Sequence, residues 1–123
     1  MVKKIKGQGM ERIGIDVDDP IFGEGTPQAY IAPITVSPPG LACQAELYLG
    51  PNDTTKVATS GLVSFNSTGV IQNIRLPIIM PTAAGVAYHG YIDVYADGMI
   101  IGGYILLEDV VIPSVEVGPG TWE

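Results

Sequence analysis

This chain has few of the residues that carry covalent chemistry or hold metals. One of its 123 residues is cysteine and one is histidine. The single cysteine, Cys43, excludes an intramolecular disulfide and a zinc site built from cysteines. The histidine, His89, lies in "AYHGY" without the glycine–serine context of a nucleophile elbow, so no Ser-His-Asp triad is predicted. We therefore expect a protein that is not an enzyme and has no cofactor.

Long apolar runs and uninterrupted helical windows are missing too. No stretch reaches the roughly 20 apolar residues of a membrane helix, and no apolar run follows the charged N-terminus as in a signal peptide. Sixteen glycines and ten prolines interrupt every window in which a helix could grow. The sequence predicts an all-β protein that is made in a cytoplasm, is not secreted by a signal peptide and has no membrane partner.

Basic residues are scarce and unevenly placed. Four of the six, Lys3, Lys4, Lys6 and Arg12, lie in the first twelve residues, which carry a formal charge of +3. The rest of the chain carries −10, a charge that repels nucleic acid and anionic membranes. We expect no nucleic acid on the folded body, and we expect the basic arm to contact a neighbouring protein surface.

The remaining pattern is that of short strands separated by turns. In "LACQAELYL" (41–49) apolar residues alternate with polar ones, as in a half-buried antiparallel strand. "AYIAPITVSP" (29–38) contains Pro33 and so predicts an edge strand. Further strands are predicted at 55–59, 61–65, 70–80, 86–96 and 99–112, the last two joined by an Asp97-Gly98 hairpin turn.

About seven strands at this spacing indicate an immunoglobulin-like antiparallel β-sandwich, with a jelly roll and a small barrel as alternatives. The predicted organisation is an extended N-terminal arm (1–25), the sandwich (26–113) and a C-terminal tail (114–123). Glycines 90, 102 and 103 are expected where strands or sheets approach closely or where the final hairpin bulges.

The only metal candidate is a weak one. Asp16, Asp18 and Asp19 in "DVDDP" offer the oxygen ligands that calcium prefers, and residues spaced by two on an extended chain point the same way. Pro20 and Ile21, however, stand where a calcium-binding EF-hand loop needs a third ligand and a glycine. A solvated turn is favoured, and no metal site is predicted.

Residues 74–112, "IRLPIIMPTAAGVAYHGYIDVYADGMIIGGYILLEDVVI", resemble immunoglobulin-like modules of the virion proteins of tailed bacteriophages. In those modules a strand ends in a Met-Pro turn and leads into a long final hairpin. The resemblance covers about a third of the chain and lacks the Cys and Trp that mark antibody domains. It implies a fold and a virion context, and it transfers no site residues.

Two classes of function remain. The first is a structural protein of a virion, a coat, cementing (decoration) or tail component, that forms a homo-oligomer or binds a capsid or tail protein. Its contacts are predicted in the arm and the tail, at Lys3, Lys4, Lys6, Arg12, Ile13, Ile15 and Trp122. The alternative is a carbohydrate-binding or adhesin-type module that uses Tyr88, Tyr91, Tyr95 and Tyr104. A flat exposed row of these rings favours the sugar site, whereas buried rings favour assembly.

Overall fold

A computed structural model describes residues 19–123 of the chain, and their regular structure is entirely β. The prediction of an all-β, antiparallel sandwich is confirmed. None of the described residues belongs to a helix that is long and apolar enough to cross a membrane. The strands are β1 (Pro27–Thr35), β2 (Ala42–Gly50), β3 (Ala58–Thr59), β4 (Val63–Asn66), β5 (Ile71–Ile79), β6 (Val86–Ala96), β7 (Met99–Ile105) and β8 (Val110–Ile112).

The strands form a small sheet and a large one. In the small sheet β1 and β5 pair antiparallel, with Pro27 opposite Ile79 and Thr35 opposite Ile71. The centre of the large sheet is the antiparallel pair β2 and β6. Both β3 and β4 pair with β2, and both β7 and β8 pair with β6. The large sheet is therefore four rows wide, with β3 and β4 along one edge and β7 and β8 along the other.

The core lies between the two sheets and follows the alternation of the sequence. Inward residues of β2 include Ala45, Leu47 and Leu49, and those of β5 include Leu76 and Ile78; all are buried. The largest fully buried side chains are Leu49, Leu76 and Ile112. Because successive residues of a strand point to opposite faces, this set could be predicted from spacing alone.

The final hairpin turns where the sequence predicts. Asp97 and Gly98 both have positive φ, 51° and 79°, as a two-residue hairpin turn of this kind requires. The return strand is interrupted, because β7 ends at Ile105 and β8 begins at Val110. A further irregularity lies opposite Val94 and Tyr95, where the register of β6 against β7 shifts.

The three glycines of this hairpin differ in their surroundings. A Cβ built on Gly90 would lie 2.8 Å from Leu106 Cδ2, and one on Gly103 would lie 3.0 Å from the Ile92 carbonyl oxygen. These two confirm the expected close approaches. A Cβ on Gly102 would meet no atom within 4 Å, so Gly102 borders open space beside the shifted register.

The described chain begins against the sandwich. The Phe22 N–H donates to the Val111 carbonyl (3.0 Å), and the Val111 N–H donates to the Pro20 carbonyl (2.9 Å). Ile21 thus forms a parallel bridge with Val111. Phe22 packs against the core, while Ile21 is exposed. Residues 20–22, which the sequence groups with the arm, hence line the edge of β8.

Candidate assembly surface

Strand β7 is an apolar edge strand that is open on both faces. Residues 99–104 are all exposed; Met99 is 69% exposed and Ile101 is 50% exposed. Within residues 19–123 β7 pairs with β6 alone. An edge strand presents unpaired backbone groups, and an apolar one is a ready template for another strand.

The register identifies the backbone groups at this edge. Leu106 donates its N–H to the Gly90 carbonyl (2.9 Å), and antiparallel partners alternate between bonded and non-bonded pairs. Ile105 and Gly103, opposite Tyr91 and Asp93, fall in the non-bonded pairs. Their N–H and C=O groups therefore point away from β6, toward the open side.

A groove runs between this edge and the small sheet. Its volume is about 440 Å³, and its walls come from β1 with the residue that follows it and from the inward side of β6 and β7. The polar side-chain groups among the lining residues are hydroxyls. The lining consists of Tyr30, Ala32, Pro33, Ile34, Thr35, Val36, Ile92, Val94, Ile101, Gly102, Gly103 and Tyr104.

Tyr30 lies in the wall of the groove that β1 forms. Partial burial raises the pKa of its phenol, and the nearby phenol of Tyr104 and carboxylate of Glu108 raise it further. Ionisation of the Tyr30 phenol is thus disfavoured in the wall of the groove.

The outer face of the small sheet is a second exposed apolar surface. In its register Pro27 lies opposite Ile79 and Ala29 lies opposite Pro77, all of them exposed. Ile31 is also exposed and lies opposite Arg75, which places one cation in this apolar face. Contiguous apolar surface of this kind is typical of protein interfaces.

The outer face of the large sheet carries a polar cluster instead. The carboxylate of Glu46, whose residue is only 7% exposed, accepts hydrogen bonds from Lys56 Nζ (2.8 Å) and from the Thr59 hydroxyl. The hydrogen bond between Lys56 and Glu46 raises the pKa of the Lys56 ammonium group. The ammonium group also lies 4.7 Å from the centre of the Tyr48 ring, a cation–π distance. The cluster is internally satisfied and stabilises the fold.

Tyrosine rings continue this cluster across the sheet. The rings of Tyr48 and Tyr91 stack with centroids 5.3 Å apart, and the Tyr48 hydroxyl donates to the Asp53 carbonyl (3.2 Å). Burial, together with nearby Asp93, raises the pKa of Tyr48 to about 12. His89 Nδ1 lies 2.9 Å from Asp109 Oδ1 on the same face of the sheet as Tyr91.

The four tyrosines proposed for a sugar site do not form one row. Tyr88 is buried in the core, and Tyr104, opposite Ile92, faces the groove. Tyr91 and Tyr95 lie on the other face of the large sheet and are only partly exposed. The alternation of the hairpin divides these rings between two faces, so they offer no flat platform.

Most of the predicted contact residues lie outside the described part of the chain. These are Lys3, Lys4, Lys6, Arg12, Ile13 and Ile15, together with the metal candidates Asp16 and Asp18. Asp19 is described, and its Oδ1 accepts the Asp109 N–H (3.1 Å). Trp122 is fully exposed in a tail without strand structure. Between residues 19 and 123 no three acidic, histidine or cysteine side chains are grouped to hold a metal ion.

Sequence reasoning did not single out Met99, Ile100, Ile101 and the groove as a site. The signal was present, because β7 is apolar without alternating, whereas a strand with one solvated face alternates. Comparison with protein-family models, with curated proteins and with solved structures found no match for this chain. The resemblance of residues 74–112 to phage virion modules therefore stays a prediction.

Proposed function

We propose that this protein is a non-enzymatic structural protein of a virion, a coat, decoration or tail component that binds copies of itself or a capsid or tail protein. The observation that carries the proposal is the exposed apolar edge of β7 with the groove beside it. A chain that works alone normally covers, charges or shortens such an edge. Here residues 99–104 are exposed, and within residues 19–123 their strand pairs with β6 alone.

Two further features support assembly. The outer face of the small sheet adds a second apolar surface, with exposed Ile31, Ile71 and Ile79. The first twelve residues carry +3 while the rest of the chain carries −10, so the arm of one copy attracts the body of another. The virion setting itself rests on the resemblance of residues 74–112.

The geometry gives less support to the sugar-binding alternative. Aromatic platforms need neighbouring rings exposed on one face, and the tyrosines here are divided between the core, the groove and the outer face. The stacked pair, Tyr48 and Tyr91, includes a ring on a residue that is only 3% exposed.

The test is the mass in solution, by light scattering on a sizing column, of the full chain and of a chain that begins at Asp19. We expect the full chain to exceed its 12.9 kDa monomer mass and the shortened chain to lose most of that association. The cut stands before Asp19 because Pro20 and Phe22 bond to Val111. A monomeric full chain would refute self-assembly, and an oligomer that survives the cut would refute the role of the arm.

A further inference from the structure

The open edge of β7 and the groove beside it together form the site that an additional β-strand would occupy. The edge supplies outward N–H and C=O groups at Gly103 and Ile105, and the groove supplies an apolar wall. Strand addition of this type draws affinity from main-chain hydrogen bonds and selectivity from alternate side chains. The occupant must therefore be an extended segment with apolar residues at every second position.

The longer of two such segments outside the eight strands lies in the arm, since the tail has only Val115 and Val117 around Glu116. In "RIGIDV" (12–17) the residues Ile13, Ile15 and Val17 alternate with polar residues or glycine. All three are β-branched, as strands favour. We propose that residues 12–17 of a second copy add to the β7 edge and place these side chains in the groove; this rests on the self-assembly proposed above and names its contact.

The alternation of residues 20–22 favours an added strand from a second copy over one from the same chain. Pro20 and Phe22 line an apolar pocket with core residues, whereas Ile21 is 67% exposed. If the chain continued this alternation backward along the edge, Asp18 and Asp16 would face the groove, and Ile13, Ile15 and Val17 would face solvent. A shift of one residue exchanges the two faces of a strand. A segment from another copy can dock in the opposite phase, which buries its apolar face and leaves its acids in water.

Reach and charge fit this arrangement. Residues 12–17 lie directly before Asp18 and Asp19 and can extend about 24 Å from Asp19, so the receiving β7 edge must pack beside the donor's own β8 edge. Arg12 and the lysines upstream then approach another copy whose residues 13–123 carry −10. Gly102 lines the groove without a side chain, and its Cβ position is free of atoms within 4 Å. Space is thus available where the added strand would lie.

The empty Cβ position provides an acceptor variant. Gly102→Leu fills part of the groove, and its Cβ meets no existing atom within 4 Å; the far-UV circular dichroism of the variant checks that the sandwich is folded. Gly118→Leu is the matched control in the tail, where a Cβ also meets nothing within 4 Å. The donor variant is Ile13→Asp with Ile15→Asp, and its conservative counterpart is Ile13→Val with Ile15→Val.

The experiment measures the mass of the full-length variants by light scattering, alone and mixed in equal amounts. We expect the donor variant and the acceptor variant each to associate at least about tenfold more weakly than the natural chain, because each leaves unfavourable groups at the contact. Their mixture should recover a dimer, since one still has the groove and the other still has the strand. The Gly118→Leu and valine variants should associate like the natural chain.

Several results would overturn the proposal. If the natural chain is oligomeric and Gly102→Leu leaves its mass unchanged, assembly stands and this contact is wrong. If the mixture stays monomeric, the two variants do not act on complementary halves of one contact. The double variant Ile15→Cys with Ile101→Cys, when oxidised, tests whether the added strand comes from the same chain or from a second copy. A disulfide within one chain refutes the second copy, and a disulfide-linked dimer supports it.

Discussion

The two edges of the large sheet differ in how their side chains are covered. At one edge the segment after β2 folds over the outward side chains, where Lys56 contacts both Glu46 and Tyr48, and these two residues are buried on the outer face of β2. At the other edge β7 is exposed on both faces, although its residues are as apolar as those of the core. The first edge is completed by the chain itself. The second is complete only when something outside the sandwich covers it.

The largest expected effect separates buried from exposed aliphatic side chains of the same sheet. Leu49→Ala removes a fully buried side chain of β2 and should lower the free energy of unfolding by about 2–5 kcal/mol. Met99→Ala, at the exposed start of β7, should change it by less than about 0.5 kcal/mol. Urea denaturation of dilute protein measures both. A large loss with Met99→Ala would show that the β7 edge is already covered within a single chain.

The covered edge could be predicted only in part from the sequence. The alternation of "LACQAELYL" predicts that Leu47 and Leu49 face the core, and they do. It also predicts that Glu46 and Tyr48 face solvent, yet both are buried. Their burial depends on Lys56 and Thr59, which fold back over β2 from the following segment. Such a contact joins two separate segments of the chain, so it does not appear in the alternation of apolar and polar residues along either one.

The open edge of β7 could also be predicted only in part from the sequence. The Asp97-Gly98 turn was predictable because both positions need positive φ, and the structure confirms it. The break at residues 106–109 was not predicted, although Glu108 and Asp109 interrupt the apolar run of "MIIGGYILLEDVVI" at that point. The groove depends on the distance between β1 and β7, which belong to different sheets. No local pattern encodes that distance.

A second variant pair compares tight and open positions on this side of the sheet. Gly90→Ala places a methyl group 2.8 Å from Leu106 Cδ2 and 3.3 Å from Leu106 Cβ, so Leu106 must shift. We expect a loss of about 1–3 kcal/mol in the free energy of unfolding, as in other overpacked cores. Gly102→Ala meets no atom and should be neutral or slightly stabilising. Thermal and urea unfolding of the two variants provide the measurement, and equal losses would contradict the difference in packing.

The smallest expected effect concerns pH and belongs to the covered edge. In the unfolded chain a tyrosine ionises near pH 10, whereas in the folded protein burial raises the pKa of Tyr48 to about 12. Between these values the unfolded state loses a proton that the folded state keeps, so stability falls as the pH rises. This residue should account for a loss of about 1 kcal/mol between pH 10 and 11.

Other groups act in the same direction, because the pKa values of Lys56, Tyr30 and Tyr91 are also raised. The stabilisation linked to Lys56 is present below its unfolded pKa near 10.5 and is lost as the pH rises through its higher folded pKa. Tyr48→Phe should therefore reduce the alkaline slope of stability without abolishing it, measured by urea unfolding at several pH values and referred to pH 7. An unchanged slope would mean that Tyr48 is solvated in solution. The edge formed by β3 and β4 would then not be covered, and the difference between the two edges of the large sheet would be wrong.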